Sequence, residues 1–327
     1  MPQPLRCDPS LLALDLRGKT HVVTGANAGI GRVTAQQLAR QGARVVLACR
    51  NLEAGQAAAE EIQKLASGAE VETMRLDLGD LASVRSFAEA FSARFERLDG
   101  LVNNAGVMNT PQAKTKDGFE MQFGINHLGH FLLTECLVDM LKATEGARVV
   151  CLSSCYHDKA MGREGELVFD DLHFDRRPYD GWRAYAQSKL ANLLHAKGLA
   201  KRYGEAGLTA VSVHPGWVRT QLARHSMPVW VQDYLLRPVF GLMGMIEPWD
   251  GAQTTLYALL SPEMPQHNGG YFSQLGIYRD KAANKGGWPL RSPSPHAHDD
   301  AAVDRLWSVS ADLVGLGENA SQTRAAS

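Results

Sequence analysis

The chain lacks the features that mark several common protein classes. It has 5 cysteines in 327 residues: Cys7, Cys49, Cys136, Cys151 and Cys155, none of them in a C-x-x-C pair. An odd number without framework spacing argues against a disulfide scaffold and for core thiols in a reducing compartment. No run approaches the ~20 apolar residues that cross a bilayer. The best candidate, PVWVQDYLLRPVFGLMGMI from Pro228, is broken by Asp233, Arg237 and Pro238. The opening residues, MPQPLRCDPSLLAL, hold no apolar run of signal-peptide length. Neither sign of charge is in excess. The 34 Lys and Arg face 35 Asp and Glu, for a formal net charge of −1, which argues against nucleic acid or an anionic membrane as a general partner. These absences together describe a soluble, cytoplasmic protein without an integral membrane segment.

What is present is material for a core, with 45% hydrophobic residues. From residue 20 onward, β-rich apolar runs alternate with helical periodicity. KTHVVTGA reads as a buried strand, and ARVVLAC from Ala43, VETMRLDL, GLVNNAG, ARVVCLSS from Ala147, LTAVSVHPG and GGYFS supply six more. Between them lie helical stretches, one carrying Val84, Phe87, Ala88, Phe91 and Phe95 on a stripe, another spanning about 117–142 and a third about 182–203. Strands alternating with helices imply βαβ units, a parallel sheet and right-handed crossovers. The expected fold is therefore α/β, a doubly wound parallel sheet of about seven strands with helices on both faces. The catalytic domain is expected over 16–282. Residues 283–327 read as a C-terminal extension, helical in AAVDRLWSVSADLVGL and disordered at its polar end.

The stretch TGANAGIG, Thr24 to Gly31, follows a strand and opens a helix. A phosphate at a helix N-terminus meets free N–H groups and the positive end of the helix dipole. Glycine lets the backbone approach it closely. The spacing is G-x-x-x-G-x-G rather than G-x-G-x-x-G, so on its own the cluster also fits a plain tight turn. At the end of the second strand stand Cys49, Arg50 and Asn51, with no carboxylate for a ribose 2′-OH. A guanidinium there suits a 2′-phosphate, which makes NADP(H) the expected cofactor, unless Arg50 is simply a solvated surface residue. Tyr185 and Lys189 are four apart on a helix and share a face, so the ammonium can favour the phenolate.

TGANAGIG, NNAG at Asn103 to Gly106, Ser154, YAQSK at Tyr185 to Lys189 and HPGWVRT from His214, in this order, resemble the short-chain dehydrogenase/reductases. The likeness runs from about Leu16 to Tyr278. LACRN, LDLGDLASVRSF, NNAGVM, GINHLGHFLLT and YAQSKLAN resemble the retinol-dehydrogenase-like branch in particular. The resemblance implies a Rossmann-type fold and an oxidoreductase acting on CH–OH donors and carbonyls. It makes Tyr185 the general acid/base and Lys189 its partner and the holder of the nicotinamide ribose. Ser154, rather than its neighbour Ser153, would bind the substrate oxygen, and Asn126 would hold a water on the proton path. It makes Gly25, Asn27, Ala28, Gly29, Ile30 and Gly31 the pyrophosphate turn, and it places Asp77 and Leu78 on the adenine. A capping role for Asp77 on the helix of 81–95 is the alternative. Asn103, Ala105 and Gly106 would line the ribose side, with Arg50 and Asn51 beside the adenosine. Pro215, Gly216, Val218 and Thr220 would close over the nicotinamide. The 31 positions between Ser154 and Tyr185 exceed the usual family spacing. They imply an insertion over about 158–181, read as a loop, and this branch has a similar one.

Substrate contacts are expected from about 221–250, an apolar segment with Met227, Trp230, Tyr234, Phe240, Met243 and Met245. That favours a small lipophilic carbonyl or alcohol, with peripheral membrane contact as an alternative use of the same face. Family habit allows a homo-oligomer and the long tail allows a monomer. No metal is expected. His127 and His130 have no third ligand, and Ser154, His157 and Asp158 lie too close together for a hydrolase triad. Two readings compete with carbonyl reduction: a cofactor-binding sensor without turnover, and a C=C reductase using the same Tyr and Lys.

Overall fold

The computed structural model describes residues 3–66, 68–218 and 245–317. Seven strands form one wholly parallel sheet: β1 (Thr20–Thr24), β2 (Arg44–Cys49), β3 (Val71–Arg75), β4 (Gly100–Asn103), β5 (Arg148–Leu152), β8 (Thr209–His214) and β9 (Tyr271–Ser273). Their order is β3-β2-β1-β4-β5-β8-β9. The chain moves outward from β1 to β3, returns to β4 and continues the other way, so the order reverses between β1 and β4. In such sheets the crevice at that switch, beyond the carboxyl ends of the strands, is where ligands bind.

The strands are buried on both faces. All five residues of β1 are buried, as expected of a parallel sheet covered by helices. One face carries α1 (Gly29–Arg40), α2 (Leu52–Leu65) and α7 (Pro248–Leu260), packing Leu38, Ile62 and Leu256 against Leu47 and Phe272. The other carries α3 (Leu81–Ser92), α5 (Gly129–Ala143) and α6 (Gly181–Tyr203), with Phe87, Phe91, Phe131 and Leu194 at its centre. The helix starts are written in the sequence: Asn51, Asp80 and Asp180 each accept backbone N–H groups as N-caps of α2, α3 and α6.

Two expectations need correction. The helix expected over 117–142 begins at Met121, as the short turn α4 (Met121–Phe123), because Gly118 is left-handed and Glu120 caps the start. It then passes through a π-turn, Gly124–Leu128, before α5. The insertion of 158–181 is more than a loop. It contains a two-stranded antiparallel hairpin, β6 (Lys159–Ala160) with β7 (Arg163–Glu164), and a 3₁₀ turn at Phe169–Asp171. The C-terminal extension carries α8 (Asp300–Leu313), whose Val303 and Leu306 are buried. Thr220 and most of the expected 221–250 lid lie outside the described residues. No helix among the described residues is long and apolar enough to cross a membrane.

Candidate active site

The glycine turn connects β1 to α1 at the switch point. Gly25 and Gly29 have φ of +65° and +57°, a region that favours glycine. Gly31 is helical and is needed for space instead. A Cβ on it would overlap Asn104 Nδ2 and stand 2.9 Å from the Gly25 carbonyl oxygen. The N-cap of α1 is Ala28, which has no side-chain acceptor to offer, and the first turn carries no acidic residue. The N–H groups at this helix start are thus left for an external anion.

A cleft of about 310 Å³ opens over this turn. Gly25, Asn27, Ala28, Gly29, Ile30 and Gly31 form one wall, and Arg50, Asp77 and Leu78 lie at one end. Arg50 is exposed and makes no hydrogen bond or ion pair among the described residues. Asp77 accepts the Gly79 N–H at 3.0 Å, while Asp80 caps α3. Ala105, Gly106, Tyr185, Lys189 and Pro215 line the far end.

The remaining expected residues sit around the cleft rather than on its lining. Asn51 turns away to cap α2, taking the Ala54 N–H at 3.0 Å. Asn103 is buried in the sheet and donates to Thr134 Oγ1 at 3.0 Å. Gly216, with φ of +91°, lets the chain turn under Ile246, and Val218 forms a bridge with Ile246. Asn104, absent from the expected set, does line the cleft. Its Nδ2 donates to the Thr24 carbonyl at 2.6 Å, and its backbone N–H and that of Ala105 reach Thr24 Oγ1 at 2.9 Å. The second Asn of NNAG was the available signal.

Lys189, Asn126, Ser154 and Tyr185 come together at the far end. Lys189 is buried and its Nζ donates to the Leu152 carbonyl at 3.0 Å. Burial pulls its pKa down to about 8. The ammonium lies 5.5 Å from the centroid of the Tyr185 ring. In the chain alone, burial pushes the phenol upward, against the lowering influence of the Ser154 hydroxyl. Ser153 and Ser154 divide the work. Ser153 Oγ donates to the Lys189 carbonyl at 2.7 Å and is structurally committed. Ser154 Oγ accepts the Tyr156 N–H at 3.2 Å, which leaves its own proton to donate.

Asn126 sits on the π-turn, a distortion often found at functional sites. Its Oδ1 accepts the Val107 N–H at 2.8 Å, and its Nδ2 donates to the Val107 carbonyl and to Ser188 Oγ. A Cβ on Gly106 would fall 3.0 Å from Asn126 Oδ1 and 3.6 Å from Lys189 Nζ, so this glycine lets the NNAG backbone pass beside both. His130 ties the π-turn to β1. Its Nδ1 bonds the Asn126 carbonyl at 2.9 Å, and because a carbonyl only accepts, Nδ1 carries the proton. Nε2 therefore accepts from the Thr24 hydroxyl, 2.9 Å away. Burial lowers the His130 pKa to about 4, which keeps the ring neutral.

Comparison with known proteins identifies the family. The family model for short chain dehydrogenases matches residues 19–166. Human retinol dehydrogenase 13 is 42% identical over 301 residues, covering 91% of this chain and 85% of that protein. The chain belongs to the short-chain dehydrogenases, in their retinol-dehydrogenase-like branch. The crystal structure of an uncharacterised Mycobacterium paratuberculosis protein matches with a TM-score of 0.72 at 35% identity, covering 95% of this chain and 98% of that one. A Shigella flexneri short-chain dehydrogenase complexed with NADP matches with a TM-score of 0.62 at 25% identity, over 80% of this chain and 98% of that one. As a member of this family the chain is an oxidoreductase that uses a nicotinamide cofactor. The cleft fits one: it has an uncapped helix start, glycines where a Cβ would fill the cradle, and an unpaired guanidinium.

Proposed function

We propose that the chain interconverts a lipophilic aldehyde or ketone and its alcohol with NADP(H). The observation that carries the reading is the arrangement of the cleft, with Arg50 at one end and Tyr185 and Lys189 at the other, where the Ser154 hydroxyl bonds Tyr185 from beside the lining. Arg50 would hold the 2′-phosphate, and Gly29 to Gly31 the diphosphate. Lys189 would hold the nicotinamide ribose. When bound, the cofactor accepts or supplies the hydride.

Tyr185 handles the proton at the substrate oxygen, giving it to the forming alkoxide in reduction and taking it from the alcohol in oxidation. The Ser154 hydroxyl donates to the same oxygen, where charge grows in the transition state. Lys189 favours the phenolate electrostatically. Asn126, fixed by Val107 and Ser188, keeps the path beside Lys189 open for a proton-carrying water. The lipophilic substrate class is supported by the names of the relatives and by aromatic rings beside the proton donor. Tyr156 stands 6.1 Å from Tyr185 and 5.6 Å from Trp182, centroid to centroid.

The test is NADPH consumption over a panel of lipophilic aldehydes, ketones, retinal and activated alkenes, with products identified and Tyr185→Phe run alongside. Alcohol product, lost in the variant by a factor of at least ~100, is the expected result. Saturated C=C product, or turnover unchanged in Tyr185→Phe, would overturn the reading.

A further inference from the structure

A second cavity, of about 750 Å³, lies at the opposite end of α6 from the cleft. Its volume is in the range of small-molecule sites. One wall is the face of α6 that carries Leu193, Lys197, Ala200 and Lys201, a spacing that keeps all four on one side. The turn His267–Gly270 before β9 supplies a second wall, and the extension from Pro289 to Val303 closes the third.

Two cations face this space, Lys197 and the solvent-exposed Arg291. Neither Lys197 nor Arg291 makes a hydrogen bond or ion pair among the described residues, although Lys197 is half-buried. Lys201 also lines the cavity but is held by Asp304 at 2.7 Å. His298 donates to the Ser292 carbonyl at 2.7 Å, and His267 packs on Phe272. One carboxylate, Asp300, lies on the rim. Burial holds the Lys197 pKa below the ordinary lysine range, Asp300 opposes this, and the positive charge of Arg291 adds to it. Two unpaired cations against one carboxylate leave a single positive charge over. The rest of the lining is largely apolar, including Leu193, Tyr271, Leu290 and Val303. A half-buried lysine and an exposed arginine beside an apolar groove match a ligand with one negative charge and a hydrophobic body.

We propose that this cavity binds a long-chain carboxylate, with its head held by Lys197 and Arg291 and its chain laid along Leu193, Leu290 and Val303. The planar guanidinium matches a carboxylate in a two-point contact and the ammonium adds a third donor. The site is remote from Tyr185 and belongs to the extension as much as to the sheet. Its occupancy is therefore independent of the reaction in the cleft.

The test is calorimetric titration of the full chain with laurate, in the absence and presence of saturating NADPH. One laurate should bind. Lys197→Gln and Arg291→Gln should each weaken it by about tenfold or more, with thermal midpoints unchanged. Tyr185→Phe and NADPH should leave it unaltered. Dodecyltrimethylammonium, with the same chain and the opposite charge, should not bind. Four results would each overturn the proposal: no laurate binding, laurate binding that ignores both substitutions, equal binding of the cationic amphiphile, or inorganic phosphate binding as tightly as laurate.

Discussion

Gly31→Ala tests whether the cradle is set by space or only by backbone conformation. Gly31 is helical, so alanine suits its φ and would by propensity gain about 1 kcal/mol. Space decides the other way. The new Cβ overlaps Asn104 Nδ2 and stands 2.9 Å from the Gly25 carbonyl and 3.2 Å from Ala26 Cα. Asn104 can yield only by giving up its 2.6 Å bond to the Thr24 carbonyl, a loss of roughly 1 kcal/mol in this half-buried setting. The two backbone atoms have no side chain to swing aside, and overpacking of this kind costs about 1–3 kcal/mol. Set against the propensity gain, the net is a destabilisation of about 2 kcal/mol, or a few degrees in thermal midpoint for a chain of this size. NADPH affinity should fall by more than about tenfold, because the displaced turn is the one a diphosphate must approach. Gly146→Ala is the control. That glycine has φ of +72° with nothing within 4 Å, so it carries backbone strain of about 1 kcal/mol without touching the cleft. Differential scanning calorimetry and fluorescence titration with NADPH read both quantities. If Gly31→Ala keeps the wild-type midpoint and NADPH affinity, the close-approach reasoning is wrong.

Two further outcomes follow from residues already placed. Arg50→Asp should lower the ratio of NADPH to NADH affinity by about 100-fold or more, since it removes the guanidinium and adds a carboxylate suited to a free 2′-OH; an unchanged ratio would remove Arg50 from the cofactor assignment. Lys189→Met should abolish turnover yet raise stability near neutral pH. The folded-state pKa of Lys189 is lowered to about 8 from 10.5, so below pH 8 folding must bury a charge that the unfolded chain keeps solvated, at a cost on the order of 3 kcal/mol. Between the two values the unfolded chain binds more protons than the native one, and the cost disappears as pH rises through that window. The stability gap between variant and wild type, from urea titrations at pH 7 and pH 10.5, should therefore close at the higher pH; a gap that widened would contradict the burial argument.

The sheet was readable because its strands are covered on both faces. HVV, RVVLA and RVVC are short β-branched runs that have few other places to go, and each recurs after a stretch of helical period. The glycine turn could be placed between β1 and α1 because glycine is needed where the backbone is left-handed or crowded, and Tyr185 and Lys189 could be placed on one face of α6 by their spacing of four. Asn104 was harder, since its role lies in Thr24 and Gly31, 80 (104 − 24) and 73 (104 − 31) positions earlier in the chain. The choice of Ser154 over Ser153 came from resemblance alone, since the bond that ties Ser153 to the Lys189 carbonyl joins positions 36 apart and leaves no trace in the sequence. The insertion hairpin escaped notice because two-residue strands leave no period to detect. The packing of the extension could not be read from composition: Ser292 pairs with the buried His157, and Ser310 with the buried His127, each more than a hundred positions away in the chain. Polar residues there bind polar groups of the core.

The extension also changes what the last strand of the sheet can do. Beyond β9 the chain returns as Gly287 to Leu290 and bonds back to it, with Ser273 and Gly287 exchanging both N–H···O bonds at 2.8–2.9 Å and Leu290 N–H reaching the Tyr271 carbonyl at 2.8 Å. A parallel sheet that stopped at β9 would present open backbone donors and acceptors as a template for any extended peptide, another copy included. Here that side is already taken by the protein's own chain. Assembly by sheet continuation is closed off at this edge. A protease cut ahead of Gly287 would loosen a strap and, with it, expose a surface on which chains could polymerise.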